Sequence, residues 1–296
     1  MRAVLRQAAA LLETIKFQHS VFALPFAMTA ALLALRDFPL PGRVIAEKLL
    51  WIVVAMVAAR SAAMAFNRFV DSDIDAQNPR TAGWALPSGR VSKGFTAGFV
   101  AASAALFVLA ASRLNPLCLK LSPLALAVVM GYSYTKRLTP LSHLALGAAL
   151  GIAPAAAWIA IRGSLDPGIL LLSASVVLWT AGFDIIYSCQ DVDFDRTHGL
   201  HSIPARLGIA PGLLVSRVFH AGMVAFLAAA WQQLELGWLA LAGVAAVAAL
   251  LVYEQSLVRA DDLSRVNAAF FAVNGWVSLL FFGFWAADIL PSWRIH

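Results

Sequence analysis

Asn67, Asp71 and Asp75 stand four residues apart in the stretch Asn67-Arg68-Phe69-Val70-Asp71-Ser72-Asp73-Ile74-Asp75. A second stretch places Asp184, Tyr187, Asp191 and Asp195 at closely similar spacing. On an α-helix, positions i, i+4 and i+8 share a face, so each stretch presents a stripe of carboxylates. Arg60 and Met64 extend the first stripe deeper, Ser188 can replace Tyr187 in the second, and Asp73 and Asp193 point elsewhere. Carboxylates at this spacing repel by a few tenths of a kcal/mol in water, and near a membrane each costs up to several kcal/mol. Something must neutralise them. Mg²⁺ held by one or two carboxylates usually shares its coordination sphere with substrate phosphates. Two facing stripes with Mg²⁺ and a diphosphate between them balance in charge, and Arg60, Arg68, Arg80, Lys136 and Arg137 suit the remaining phosphate oxygens. Solvated loop acids would explain one cluster; two of matching spacing on one predicted side argue against that.

The elements that carry these stripes are hydrophobic. Of 296 residues, 61% are apolar and 13% charged, with mean hydropathy +0.78; soluble domains run at about 45–50% and about 25%. Apolar runs fall at about 19–35, 49–70, 94–112, 116–135, 141–161, 167–189, 209–231, 236–258 and 267–287. A span needs about 20 such residues. Only helices satisfy their own backbone in hydrocarbon across runs of this kind, and the absence of period-2 alternation excludes a β-barrel. The expected fold class is all-α, a polytopic membrane protein of about nine transmembrane helices. This excludes a soluble enzyme, a disordered tail, a disulfide scaffold and, despite a pI near 9.7, a nucleic-acid binder.

Basic residues orient the chain. Twelve of the 22 lie on the side of the N-terminus and of the loops after even-numbered spans, against seven opposite. This predicts a cytoplasmic N-terminus, an external C-terminus and both acidic stripes at the cytoplasmic side of the cell's inner membrane. The loops after spans 2 and 6 are the longer ones; Asp37–Gly42 and Asp166–Gly168 read as plain turns. Both stripes end a span, which suggests a loose duplication of 1–161 and 162–296 within a single transmembrane domain, 1–296. The N-terminus, with Arg2, Arg6, Glu13 and Lys16, is amphipathic and lacks a signal-peptide pattern. Cys118 and Cys189 read as small hydrophobes, and His198 and His201 as solvated loop residues.

The chain resembles the UbiA superfamily of intramembrane prenyltransferases. Asn67-x-x-x-Asp71-x-x-x-Asp75, followed by Arg80-Thr81 and Leu86-Pro87-Ser88-Gly89, resembles its first aspartate-rich motif, and Asp184-x-x-Tyr187-x-x-x-Asp191-x-x-x-Asp195 its second. Tyr134-x-Lys136-Arg137 is similar to the family's basic segment after the fourth helix, and Arg60 to the arginine preceding the first motif. Lys16-Phe17-x-His19 with Phe22-Ala23-Leu24-Pro25-Phe26 resembles the branch that prenylates hydroxybenzoate and hydroxynaphthoate. Two positions depart from the pattern: Arg68 stands where Asp often follows Asn, and Trp84-Ala85 where many members have Arg-Pro, which removes a loop arginine from the expected diphosphate contacts.

The resemblance implies nine helices around a central cavity open sideways to lipid, capped by the two motifs. It implies Mg²⁺ on Asn67, Asp71, Asp75, Asp191 and Asp195, with Asp71, Asp75, Asp191, Asp195 and Arg60 catalytic. Asn67, Lys136, Arg137, Asp184 and Tyr187 would bind substrate. The implied reaction transfers a polyprenyl group from a polyprenyl diphosphate to the ring of a hydroxylated aromatic acid, by Mg²⁺-assisted ionisation and electrophilic substitution. The expected acceptor is 4-hydroxybenzoate, in ubiquinone-type biosynthesis; the alternative is a hydroxynaphthoate of menaquinone synthesis. Asp191 is a candidate for taking the ring proton. A transporter with acidic helix ends is the alternative from another class, although pathway acids lie singly and mid-span. The Asp-x-x-Asp-Gly-x-x-Ala-Arg string of CDP-alcohol phosphatidyltransferases does not occur.

Overall fold

The structure, a computed structural model, describes residues 2–14, 22–38 and 40–292. Lys16 and His19 of the branch-like N-terminal motif lie outside these. Among the described residues the chain is helical, with one isolated bridge between Arg259 and Asp262. The helices are α1 (Arg2–Thr14), α2 (Leu24–Arg36), α3 (Gly42–Asp75), α4 (Lys93–Leu114), α5 (Pro116–Thr135), α6 (Ser142–Arg162), α7 (Pro167–Ser188), α8 (Val192–Thr197), α9 (Ile203–Leu207), α10 (Ile209–Gln233), α11 (Trp238–Ser256) and α12 (Asn274–Ile289). A 3₁₀ turn, Cys189–Asp191, joins α7 to α8, and a π-helical turn, Ala268–Val273, leads into α12.

Eight helical segments are long and apolar enough to cross a bilayer. The run expected at 19–35 gives α2, only 13 residues, which at 1.5 Å per residue reaches about 20 Å of a roughly 30 Å hydrocarbon core. The other eight expected runs each coincide with a spanning segment. Side-chain caps place several of the breaks. Asn115 accepts from the Cys118 N–H and Asp166 from the Gly168 N–H, each just before a proline at the first helical position, where proline's missing N–H costs nothing.

The helices pack in two arcs that share α6. In one, α7 lies against α6 and α10, α11 against α10 and α12, and α2 against α6 and α12. This arc holds the main core, with Phe26 stacked on Phe281 at 4.4 Å and tilted on Trp179 at 5.1 Å. In the other, α3 packs on α4 and α5, and α5 on α6. Leu11 of α1 is buried with Ala65, Ala85, Val91 and Val100, and Gln7 Oε1 accepts from the Ser92 N–H. The amphipathic α1 thus rests on the α3–α4 connection.

Both free cysteines sit among apolar residues. Gly147 and Gly151 let α6 approach α7: a Cβ on Gly147 would enter the Val177 carbonyl, and one on Gly151 would lie 2.9 Å from the Ser173 carbonyl oxygen. This is the small-xxx-small spacing that brings membrane helices together. Gly151→Val is expected to force α6 from α7 at a cost of about 1–3 kcal/mol, read as a lower thermal midpoint of the detergent-solubilised protein, whereas Gly98→Ala, with open space at its Cβ, leaves the midpoint unchanged.

Candidate active site

At one end of the bundle the last turns of α3, α5 and α7 surround a polar chamber of about 270 Å³. Asn67, Asp71 and Asp75 reach it from α3, as their spacing on a straight helix requires. Lys136 comes from the end of α5, Asp184 and Tyr187 from α7, and Asp191 from the 3₁₀ turn. The π-helical turn, which widens the helix, places Phe270 and Phe271 in the wall beside α7, Phe270 against Tyr187 at 4.2 Å. That turn is anchored from behind. Asn274 donates to the fully buried Glu254 at 2.9 Å and accepts from Trp179 Nε1 at 2.6 Å.

Four of the five aspartates in the two stripes have a cation each, Asp184 being the exception. Asp71 accepts from Arg137 Nη2 at 2.8 Å and from Asn67 Nδ2 at 2.9 Å. Asp75, 8% exposed, accepts from Arg68 Nη1 at 3.0 Å. Asp191 is gripped bidentately by Arg80, through Nε at 3.0 Å and Nη2 at 2.6 Å, and by Asn78 Nδ2 at 3.1 Å. Arg80 also donates to the Tyr187 hydroxyl at 3.0 Å. Burial works against the Arg80 charge, but the hydrogen bonds and charge of Asp191 outweigh it and lift its pKa above the ordinary guanidinium value. Asp195, fully buried, pairs with Lys136 Nζ at 2.9 Å. Asp73, by contrast, is exposed and paired with Lys93, and Asp193 is exposed.

The second stripe is not one continuous face. The 3₁₀ turn winds the chain more tightly than an α-helix, so Asp184, Tyr187 and Asp191 line the chamber while Asp195 lies behind its wall. Four neighbours carry no signal in the spacing of the acids. Asn78 holds both Asp191 and, through Oδ1, the Arg80 N–H. His143 Nδ1 lies 2.7 Å from Asp184 Oδ2, and its Nε2 accepts from the Ile203 N–H; that acceptance requires a lone pair on Nε2, so the proton sits on Nδ1. Trp84 and Tyr132 complete the wall. Of these only Trp84 stood out in the sequence, as a departure from the family pattern.

Below the polar chamber lies an apolar one of about 260 Å³ between α3, α4, α5 and α6, lined by alanines, Ile52, Met56, Phe107 and Leu121 among others. The two share Arg60, Met64, Tyr132, Leu146 and Leu150. Arg60 forms no ion pair with Asp71 or Asp75, and its buried Nε has no hydrogen-bond partner.

The donor set that lines the chamber, the amide of Asn67 with the carboxylates of Asp71, Asp75 and Asp191, is the oxygen chemistry that Mg²⁺ takes. The residues therefore fit a divalent cation in type. In arrangement, no three acidic, histidine or cysteine side chains among the described residues already converge on one point, because each carboxylate is drawn to its basic partner.

The model of the UbiA prenyltransferase family matches residues 23–287. The chain belongs to this family. It is accordingly a prenyltransferase and an integral membrane protein. The UbiA-family chain is 33% identical over 232 residues, 78% of each chain, to a 4-hydroxybenzoate octaprenyltransferase of Alkalilimnicola ehrlichii. It is 30% identical over 237 residues to the protein of the same name from Salmonella paratyphi B, covering 79% of this chain and 81% of that one. The apo structure of a UbiA homologue from Aeropyrum pernix superposes with a TM-score of 0.82 at 38% identity, over 92% of this chain and 98% of the other. A UbiA homologue from Archaeoglobus fulgidus, solved with DMAPP and Mg²⁺, shares the fold with a TM-score of 0.72 at 18% identity, over 96% and 99% of the two chains.

In this UbiA-family site Arg80→Gln is expected to leave Asp191 buried without its charge partner. The cost is about 1.5–3 kcal/mol, measured by thermal unfolding in detergent, with Arg80→Lys losing less because the charge remains.

Proposed function

We propose that this prenyltransferase transfers a polyprenyl group from an allylic polyprenyl diphosphate to the ring of a hydroxylated aromatic acid, 4-hydroxybenzoate, in quinone biosynthesis. The observation that carries this reading is the polar chamber set directly on an apolar one, with Arg60 at their shared wall. A diphosphate head needs the first and an isoprenoid tail the second. The names of the two curated relatives support the acceptor, and the A. fulgidus protein binds DMAPP or GPP together with Mg²⁺. Both arcs contribute carboxylates to one chamber, which favours residues 1–296 working as a single catalytic unit.

Asn67, Asp71, Asp75 and Asp191, which line the chamber, would hold Mg²⁺, which would supply Lewis-acid stabilisation of charge on the departing diphosphate; Asp195, expected from the sequence as a further ligand, lies behind the wall and would instead position Lys136. Lys136, Arg137 and Arg80 bind phosphate oxygens through charge-assisted hydrogen bonds and stabilise the same charge as the allylic C1–O bond loosens. Phe22, Phe270, Phe271 and Tyr187 exclude water, and their ring faces favour positive charge at C1. Asp184, oriented by His143, and Tyr187 position the acceptor hydroxyl so that the neighbouring ring carbon attacks C1. The displaced ring proton leaves to a carboxylate of the wall, restoring aromaticity. Arg60 holds the acceptor carboxylate. The chamber faces the cytoplasm, in keeping with the distribution of basic residues.

Asp71→Ala and Asp191→Ala are each expected to abolish prenylation by membranes supplied with geranyl diphosphate, Mg²⁺ and 4-hydroxybenzoate, and excess chelator to stop the wild type; product in either case removes the assignment. A dihydroxynaphthoate offered in parallel decides the acceptor. Arg60→Ala is expected to raise the KM for the aromatic acid by about 10–100-fold while leaving that for geranyl diphosphate little changed. For orientation, a cysteine at exposed Ser88, with Cys118 and Cys189 replaced, is expected to react with an impermeant reagent in inside-out vesicles only.

A further inference from the structure

Arg68 holds one oxygen on each of two residues that would ligate a metal ion. Its Nη2 donates to Asn67 Oδ1 at 2.7 Å and its Nη1 to Asp75 Oδ2 at 3.0 Å. The guanidinium carbon lies 4.1 Å from the centre of the Trp84 ring, and the Arg68 side chain is 14% exposed. The buried Nε has no hydrogen-bond partner. Arg68 and Trp84 are also the two positions where the sequence departs from the motif it resembles, and here they are in contact. A cation on Asn67 Oδ1 and Asp75 Oδ2 therefore competes with Arg68 for both oxygens.

Once displaced, Arg68 has two features that matter. The Trp84 face still stabilises its charge, so the side chain need not leave the wall. Its donors are then left unpaired beside a divalent cation, a repulsive arrangement in a partly dehydrated site. An anion between them reverses the sign of that interaction, and a diphosphate oxygen offers the guanidinium the geometry it has lost. Metal alone thus meets a competitor, and metal with diphosphate meets a ligand for that competitor.

We propose that Arg68, shelved on Trp84, couples metal binding to diphosphate binding: it competes with metal alone for the first aspartate-rich motif and turns to the diphosphate when both arrive. This rests on the donor reading above and adds an order of loading to it. It makes Arg68 a diphosphate ligand and Trp84 a positioning residue.

The test is a thermodynamic cycle on the purified full-length protein. Mn²⁺ affinity is measured at buffered free metal, with and without inorganic pyrophosphate, for wild type, Arg68→Gln, Arg68→Lys and Trp84→Leu. For Arg68→Gln the expected result is tighter Mn²⁺ binding without pyrophosphate, weaker binding with it, and a coupling factor at least about tenfold smaller. Arg68→Lys should keep part of the coupling, and Trp84→Leu should lose part of it. A merely structural role for Arg68 would weaken binding in both conditions and leave the ratio unchanged, which overturns the proposal, as does no change in either. If the wild type binds neither Mn²⁺ nor pyrophosphate, the donor reading falls first and this inference with it. Arg68→Lys, which keeps the charge, guards against loss of fold in the glutamine variant.

Discussion

Everything in this molecule is arranged around four aspartates that sit at the ends of apolar helices and cannot stand there unpartnered. Arg137, Arg68, Arg80 and Lys136 take Asp71, Asp75, Asp191 and Asp195 respectively. Replacing these ion pairs by apolar packing would cost little or no stability in a protein with no use for charge, since a desolvated pair roughly breaks even against hydrophobic residues. Four pairs in one region therefore argue for retention by function. The neutralisation expected from a metal is also provided by the chain's own cations, and these are the groups suited to phosphate once the carboxylates are engaged elsewhere.

Such pairs need rigid supports, and the local structure provides them around the chamber. The long α3 carries Asn67, Asp71 and Asp75 without interruption. The α3–α4 connection is tied back where Thr81 Oγ1 donates to the Asp75 carbonyl at 2.8 Å, and Asn78 then spans from Arg80 to Asp191. On the far side Glu254, Asn274 and Trp179 fix the π-helical turn and so the aromatic wall. A buried polar chain of this kind specifies one arrangement of the helices, because any shift strands a donor or acceptor in hydrocarbon.

Much of this was legible in the sequence because its signals are periodic. Span positions follow from run length, and the first motif follows from i, i+4 spacing on a helix that stays α-helical. The second motif was legible only as far as Asp191, since nothing in Asp184–Asp195 announces the 3₁₀ turn that carries Asp195 behind the wall. The same limit applies to α2, where a run long enough to count as a span gives a described helix of 13 residues. His143 and Asn78 were invisible for another reason. Each acts through a contact far away in sequence, His143 with Asp184 and Ile203, Asn78 with Asp191, and no local pattern encodes a partner on another helix.

The charge inventory of the chamber constrains what it can receive. Asp184 adds a fifth acid beside the four paired ones, and Arg60 a fifth base with an unmet donor. Among these ten groups the charges cancel, so the protein's own side chains carry little net field into the membrane. A ligand set that enters must itself come close to balance, or the low-dielectric surroundings would oppose it strongly. A metal ion with a diphosphate meets that condition at the level of the aspartates. A lone metal ion or a lone diphosphate does not. The preference for paired over single ligands thus follows from electrostatics in a water-poor site, and the exchange of partners at Arg68 is its local expression.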